Sequence, residues 1–194
     1  MLSTERGVVP GEDVAASWTA DDTPAHNLPA WPTPLIGRER ELEAARERLL
    51  RPGARLLTLT GAGGSGKTCL ALAIAAGLVD SFSAGVWFVP LAPVSDPGRV
   101  AWAVAQALGV STEGNRPLLA SLTDALRHKE LLVVLDNFEH LLPAGRLVAE
   151  LLAACPRLRI LVTSRAALRL VGEQELAVPP LALPDRRRLP PLEG

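Results

Sequence analysis

Basic charge in this 194-residue chain is carried almost entirely by arginine: only Lys67 and Lys129 are lysines, against 18 arginines. A position that keeps lysine in such a sequence is one where a compact ammonium serves and a wide guanidinium does not. Lys67 stands in GAGGSGKT, residues 61–68, a full match to G-x-x-x-x-G-K-[ST] between an apolar strand and a helix. Gly61, Gly63, Gly64 and Gly66 let the backbone curl until its N–H groups point inward at phosphate oxygens. Ala62, Ser65 and Cys69 complete the expected cradle, and the helix that follows adds its positive N-terminal end. Lys67 would place its ammonium by the β- and γ-phosphates, and Thr68 would offer a hydroxyl to Mg²⁺. The expected cofactors are therefore ATP or ADP with Mg²⁺.

A second constellation lies in LLVVLDNFEH, residues 131–140. Five apolar residues run into Asp136, at the strand end where parallel sheets bind ligands. Asp136 there would hold Mg²⁺ directly or through water; the alternative is a cap for the next helix. Asn137 cannot accept a proton, so an adjacent catalytic acid is missing. Glu139 is the nearest replacement, with His140 beside it, unless Glu139 only caps or faces solvent. A third segment, LVTSR (161–165), ends another strand in Thr163, Ser164 and Arg165. Arg165 would sense or stabilise the charge of the third phosphate, or else lie on the surface. Lys67, Asp136, Glu139 and Arg165 are the candidate catalytic residues; Thr68 and Asp136 are the candidate metal ligands.

These residues need rigid elements behind them. Short strands, apolar throughout, are expected at 56–60, 85–91, 131–136 and 158–165, with a fifth within 174–181. Helices alternate with them: 37–50, with Leu42, Ala45 and Leu49 on one stripe, then from the phosphate loop to about Leu78. Another runs from the Asp96–Pro97 cap to Leu108, a further one to about His128, and the last over about 143–154. That alternation marks a parallel sheet covered on both faces. GVSTEGNRP (109–117) reads as a loop. Residues 1–34 read as a loose tail with scattered Pro and small polar residues, in which Trp18 and Trp31 stand singly. The core is expected over 35–184 and a loose Pro/Arg-rich tail over 185–194.

Composition excludes some functions and favours others. Hydrophobic residues make up 48% and charged residues 21%, with a formal net charge of −1. This is ordinary globular composition; nothing in the balance demands nucleic acid or an anionic membrane. The run RRR (186–188) reads as solvated rather than as a nucleic-acid contact. The longest strongly apolar run, residues 69–79, is too short to span a bilayer, and no secretion signal opens the chain. Cys69 and Cys155 form no metal-type or CxxC spacing. The default is a reduced, cytoplasmic setting, with Cys69 a small buried filler.

Four segments in order carry a resemblance: PLIGRERELE (34–43), LLTLTGAGGSGKT (56–68), LLVVLDNFEHLL (131–142) and ILVTSRAAL (160–168). Over about residues 30–184 the chain resembles the nucleotide-binding core of STAND ATPases, related to NB-ARC domains. It is especially similar to the ATPase module of large bacterial regulators with LuxR-type or antibiotic-regulator-type DNA-binding domains. The resemblance implies a three-layer P-loop NTPase with a five-stranded parallel sheet in the order 5-1-4-3-2. It implies that Ile36, Gly37 and Arg38 lie against the adenine and ribose, with Arg38 able to reach the nucleotide or else lying on the helix surface. It also implies a helical lid and a winged-helix domain, which are not found in these 194 residues. The function implied is a slow ATP/ADP switch in signal transduction or transcription regulation, working with protein partners or those further domains. The competing readings are a catalytic AAA+-like ATPase, and a truncated remnant that binds nucleotide weakly.

Overall fold

The computed structural model describes residues 26–30, 35–111 and 116–180. The expectations for Trp18, Trp31 and the RRR run lie outside those residues. Five strands form one sheet: β1 Leu56–Thr60, β2 Val86–Pro90, β3 Leu131–Asp136, β4 Leu158–Ser164 and β5 Glu173–Ala177. All pairings are parallel, in the order β2-β3-β4-β1-β5, which is the expected 5-1-4-3-2 read from the other edge. β1, β3 and β4 are central, and β1 and β3 are buried at every residue, as a sheet covered on both faces requires.

The helices are α1 Glu39–Leu50, α2 Lys67–Ala76, α3 Val100–Ala107, α4 Leu118–Leu126 and α5 Gly145–Ala154. On one face, α1 and α2 bury Ala45, Leu49, Leu70 and Ile74 against Leu57, Leu59, Val134 and Leu161 of the sheet. On the other, α3, α4 and α5 bury Val104, Leu122, Leu126 and Leu151 against Val133, Leu135, Ile160 and Val162. Alternate residues of β3 and β4 thus feed opposite layers, as the two-residue period of a strand demands.

Two helices begin later than sequence periodicity places them. Pro97–Arg99 and Leu142–Ala144 are single 3₁₀ turns that lead into α3 and α5. Each holds a proline in its first turn, where the missing N–H costs nothing. Asp96 does cap its turn, accepting from the Gly98 amide at 2.9 Å. The residues read as a loose tail also need revision at one place. His26 bridges Val86 on the free edge of β2. The Asn27 side chain both donates to Phe88 O (2.9 Å) and accepts from Phe88 N (2.6 Å). A side-chain amide there stands in for a neighbouring strand and satisfies an edge that would otherwise be exposed.

Candidate functional site

The carboxyl ends of β1, β3 and β4 meet on one side of the sheet, and the candidate residues collect there. β1 runs into the loop 61–66, where Gly61, Gly64 and Gly66 take φ of +155°, +77° and +87°. Gly64 and Gly66 sit in the left-handed region that only glycine enters at little cost. Gly61 is held by crowding as well: a Cβ there would lie 2.5 Å from Val178 O. The loop closes with Ser65 N donating to Ala62 O at 3.2 Å, and α2 starts at Lys67. Lys67 is only 8% exposed. Its ammonium arches back over the loop, donating to Gly61 O and Ala62 O at 2.9 Å each.

Asp136 ends β3 and faces this loop from across β4. Its Oδ1 accepts from Thr68 Oγ1 at 2.8 Å and from Thr163 Oγ1 at 2.6 Å. Thr163 in turn accepts from the Asn137 amide at 2.8 Å. A carboxylate and two hydroxyls, held together at the mouth of a Gly-rich loop, are hard oxygen donors of the kind that suits Mg²⁺. Among the described residues no cluster of three or more His, Cys, Asp or Glu could hold a metal by itself. A cation here would take one carboxylate and one hydroxyl from the protein and complete its shell from phosphate and water, the usual habit of Mg²⁺.

Asn137 takes φ +65°, a left-handed conformation that asparagine tolerates better than most residues. The turn it makes aims Glu139 toward β4. Glu139 Oε1 pairs with Arg165 Nε at 3.1 Å, while Glu139 Oε2 is buried and finds no partner. Arg165 is 68% exposed along its side chain. His140 is occupied elsewhere: Nε2 lies 2.7 Å from Val94 O, and Nδ1 lies 3.5 Å from Asn137 Nδ2. A ring whose Nε2 faces a carbonyl carries its proton on that nitrogen.

Gly63, Gly64, Gly66, Lys67, Thr68, Cys69, Asn137, Glu139, Thr163 and Arg165 line a single cleft of about 420 Å³. An apolar groove of similar size lies beside β2, under Phe88, Pro90, Val94 and Trp102. Its lining is mostly apolar, with Asn27, Ser95, Arg99 and Gln106 as its polar members, whereas the loop cleft gathers an ammonium, a guanidinium, two hydroxyls and the Glu139 carboxylate around the glycine-rich loop. The cleft suits a polyanion.

Of the residues that the sequence singles out, Lys67, Thr68, Glu139 and Arg165 line this cleft, and Asp136 sits behind its lining, bonded to Thr68 and Thr163. Cys69, read as a buried filler, is half-buried and lines it. The N-terminal segment is arranged differently from the expectation. Ile36 is exposed, and Gly37 takes φ +75°. Arg38, expected to reach the nucleotide, is 4% exposed and gives its guanidinium to three protein acceptors. These are Glu41 Oε1 at 2.7 Å, Ser65 O at 3.1 Å, and Pro179 O. The Arg38 hydrogen bond holds the Glu41 carboxyl below the usual range. Thr163 was seen only as a polar strand end. Leu135 pairs with Val162, so the polar residues that follow them at the carboxyl ends of the two strands, Asp136 and Thr163, fall side by side.

Residues 50–177 match the AAA domain family. A Mycobacterium tuberculosis protein whose name calls it an HTH-type transcriptional regulator is 43% identical over 139 residues. That match covers 71% of this chain and 16% of the regulator, so the chain spans about a sixth of that relative's length. Among solved structures, Drosophila ORC bound to DNA superposes with a TM-score of 0.57 at 15% identity, over 74% of this chain and 43% of that one. Cdc6p from Pyrobaculum aerophilum gives 0.53 at 20% identity, over 71% and 41%. At these identities the likeness is one of fold. No helix among the described residues is long and apolar enough to cross a membrane.

Proposed function

The chain belongs to the AAA domain family, and on that premise we propose that it is a regulatory module that binds ATP and ADP with Mg²⁺ and hydrolyses ATP slowly. The observation that carries the reading is the Thr68–Asp136–Thr163 cluster at the mouth of the Gly61–Gly66 loop. It sets paired hard oxygen donors beside the buried Lys67 ammonium and the glycine-rich loop, the groups that a nucleotide phosphate needs together. Lys67 exchanges its two carbonyl partners for phosphate oxygens. Thr68 and Asp136 hold the cation, and Thr163 orients the Asp136 carboxylate. The cation, when bound, neutralises phosphate charge. Arg165, which lines the cleft at the end of β4, meets the third phosphate.

Slow turnover follows from the groups that face water. Asn137 holds no proton-accepting carboxylate, and the His140 ring is engaged with Val94 O. Glu139 is the remaining base, and its Oε1 is held by Arg165. Glu139 Oε2 is unpaired but buried, so Glu139 activates water once its carboxylate turns into the cleft, which triphosphate binding favours by drawing the Arg165 guanidinium away from Oε1. The finer assignment, to the STAND class with NB-ARC-like switching in a transcription regulator, is supported by the four ordered segments quoted above. It is also supported by the regulator name of the mycobacterial relative. In that reading the lid, winged-helix and output domains lie in the wider protein, and the setting is cytoplasmic.

The test is single-turnover and steady-state ATP hydrolysis with Mg²⁺. A regulatory switch turns over well below the roughly 1–10³ s⁻¹ of dedicated enzymes. Tens of turnovers per second would favour a catalytic AAA+-like ATPase instead.

A further inference from the structure

We propose that Arg38 is a positioning residue that sets the phosphate-binding face of the loop and ties it to the backbone leaving β5. The inference rests on the nucleotide-binding reading but goes beyond it, because it assigns a route by which that site communicates with the rest of a larger protein.

One guanidinium nitrogen, Nη2, donates to both Ser65 O and Pro179 O, while Nη1 is held by Glu41. The group is buried, and a buried guanidinium is stable only with its donors engaged. Its fork is planar and rigid, so the two carbonyls sharing Nη2 cannot shift independently. The Ser65–Gly66 peptide is planar and trans, so its N–H points opposite to its C=O. Drawing Ser65 O outward onto Arg38 therefore turns the Gly66 amide inward, toward the face where phosphate binds. Loop orientation is thus set by a residue 27 positions away that never touches the cleft.

The other end of the bracket is the exit from β5. Val178 N donates to Thr60 O at 2.7 Å, extending the β1–β5 ladder to the base of the loop. Val178 O packs on Gly61 closely enough to exclude a Cβ. Pro179 then reaches Arg38. The backbone at 178–179 consequently touches the loop at its first residue, Gly61, and through Arg38 at Ser65. A displacement of the chain beyond Pro179 pulls on the Ser65 carbonyl through one shared donor, and a change in the loop on binding phosphate pulls back. Such coupling is reciprocal by thermodynamic necessity.

The test is peptide-level hydrogen exchange on the full chain, with Arg38→Gln and Arg38→Lys, alongside ATP affinity and a thermal melt. In the nucleotide-free protein, Arg38→Gln should speed exchange in the 61–66 segment and at Ala177 and Val178, the two exchangeable amides of 177–180 because Pro179 and Pro180 carry no N–H, and leave β2 and α3 unchanged. ATP binding should weaken about tenfold, the scale of one lost charge-assisted hydrogen bond. ATP should slow exchange at 177–180 in the parent chain and not in Arg38→Gln. Should Arg38→Gln fail to fold, Arg38→Lys keeps the charge but reaches only one carbonyl, and should show the loss in one segment with the other retained. Exchange unchanged in either segment in Arg38→Gln, or equal ATP-dependent protection at 177–180 in both proteins, overturns the proposal. Lys67→Ala separates this from the nucleotide reading. It should weaken ATP binding at least tenfold while leaving nucleotide-free exchange at Ala177 and Val178 as in the parent.

Discussion

Thr68 Oγ1 lies 2.8 Å from Asp136 Oδ1, joining the first turn of α2 to the end of β3 across 68 residues of sequence. The same carboxylate oxygen takes the Thr163 hydroxyl, so three elements converge on one atom. This arrangement places a negative charge beside a helix N-terminus, where the helix dipole favours it. It also predisposes two oxygen ligands toward one cation.

Asp136→Asn keeps the size of the side chain and removes the charge. Without Mg²⁺, ATP affinity should be at least that of the parent, because a negative group has left the site. With Mg²⁺, the gain in affinity seen for the parent should disappear. Titrations of both proteins at matched ionic strength decide this, and an equal Mg²⁺-dependent gain in both would remove Asp136 from the metal site.

Thr163→Val should act through Asp136. It removes the hydroxyl that donates to the carboxylate and accepts from the Asn137 amide. Thr163 is buried, so the orphaned Asn137 amide adds a cost of roughly 1–3 kcal/mol in stability. Mg²⁺ dependence should weaken but persist, since Thr68 and Asp136 remain. A denaturant melt and a Mg²⁺ titration together measure both effects, and a Thr163→Val protein as stable as the parent would show that the hydrogen bonds add nothing.

Glu139 and Arg165 should separate turnover from binding. Glu139→Gln keeps shape and loses basicity, so the hydrolysis rate should fall while ATP affinity changes little; unchanged turnover would remove Glu139 from the reaction. If Arg165 meets the third phosphate as proposed, Arg165→Ala should leave ADP affinity nearly intact and weaken ATP. The Arg165–Glu139 pair is exposed on the arginine side, so its loss should cost the fold no more than about 1 kcal/mol. Equal losses for ATP and ADP would place Arg165 outside the sensing role.

The two thiols report on the cleft directly. Burial pushes the Cys155 thiol up, so its reactive thiolate is scarce at neutral pH. Cys69 lines the cleft beside Thr68. Maleimide should therefore label Cys69 first, and saturating Mg-ATP should slow that labelling. Mass spectrometry of the modified peptides checks both points, and labelling of Cys69 indifferent to ATP would mean that nucleotide does not occupy this cleft.

Much of the fold and of the loop is legible in the sequence. The alternation of apolar strands with helices made a parallel three-layer sheet the natural reading, because strands buried on both faces show no polar alternation. Glycine spacing and the rare lysine marked the loop, because its chemistry restricts which residue types fit. Contacts between side chains far apart in sequence were not legible. The resemblance implies a nucleotide contact for Arg38, yet its partners Ser65 and Pro179 are 27 and 141 residues away. Asn27 reads as tail because one residue that docks by its own side-chain amide leaves no periodicity. The late starts of α3 and α5 were missed because a proline in the first turn marks a helical start without revealing whether that turn is 3₁₀ or α.

The central claim is that phosphate is bound in the Gly61–Gly66 loop by Lys67. The most direct measurement is a calorimetric titration of ATP, with and without Mg²⁺, into the parent chain and into Lys67→Ala, with a thermal melt of each. The parent should bind at about micromolar affinity, roughly −8 kcal/mol, and more tightly with Mg²⁺. Lys67→Ala should melt within a few degrees of the parent and bind ATP at least tenfold more weakly. A folded Lys67→Ala protein that binds ATP as tightly as the parent would contradict the account.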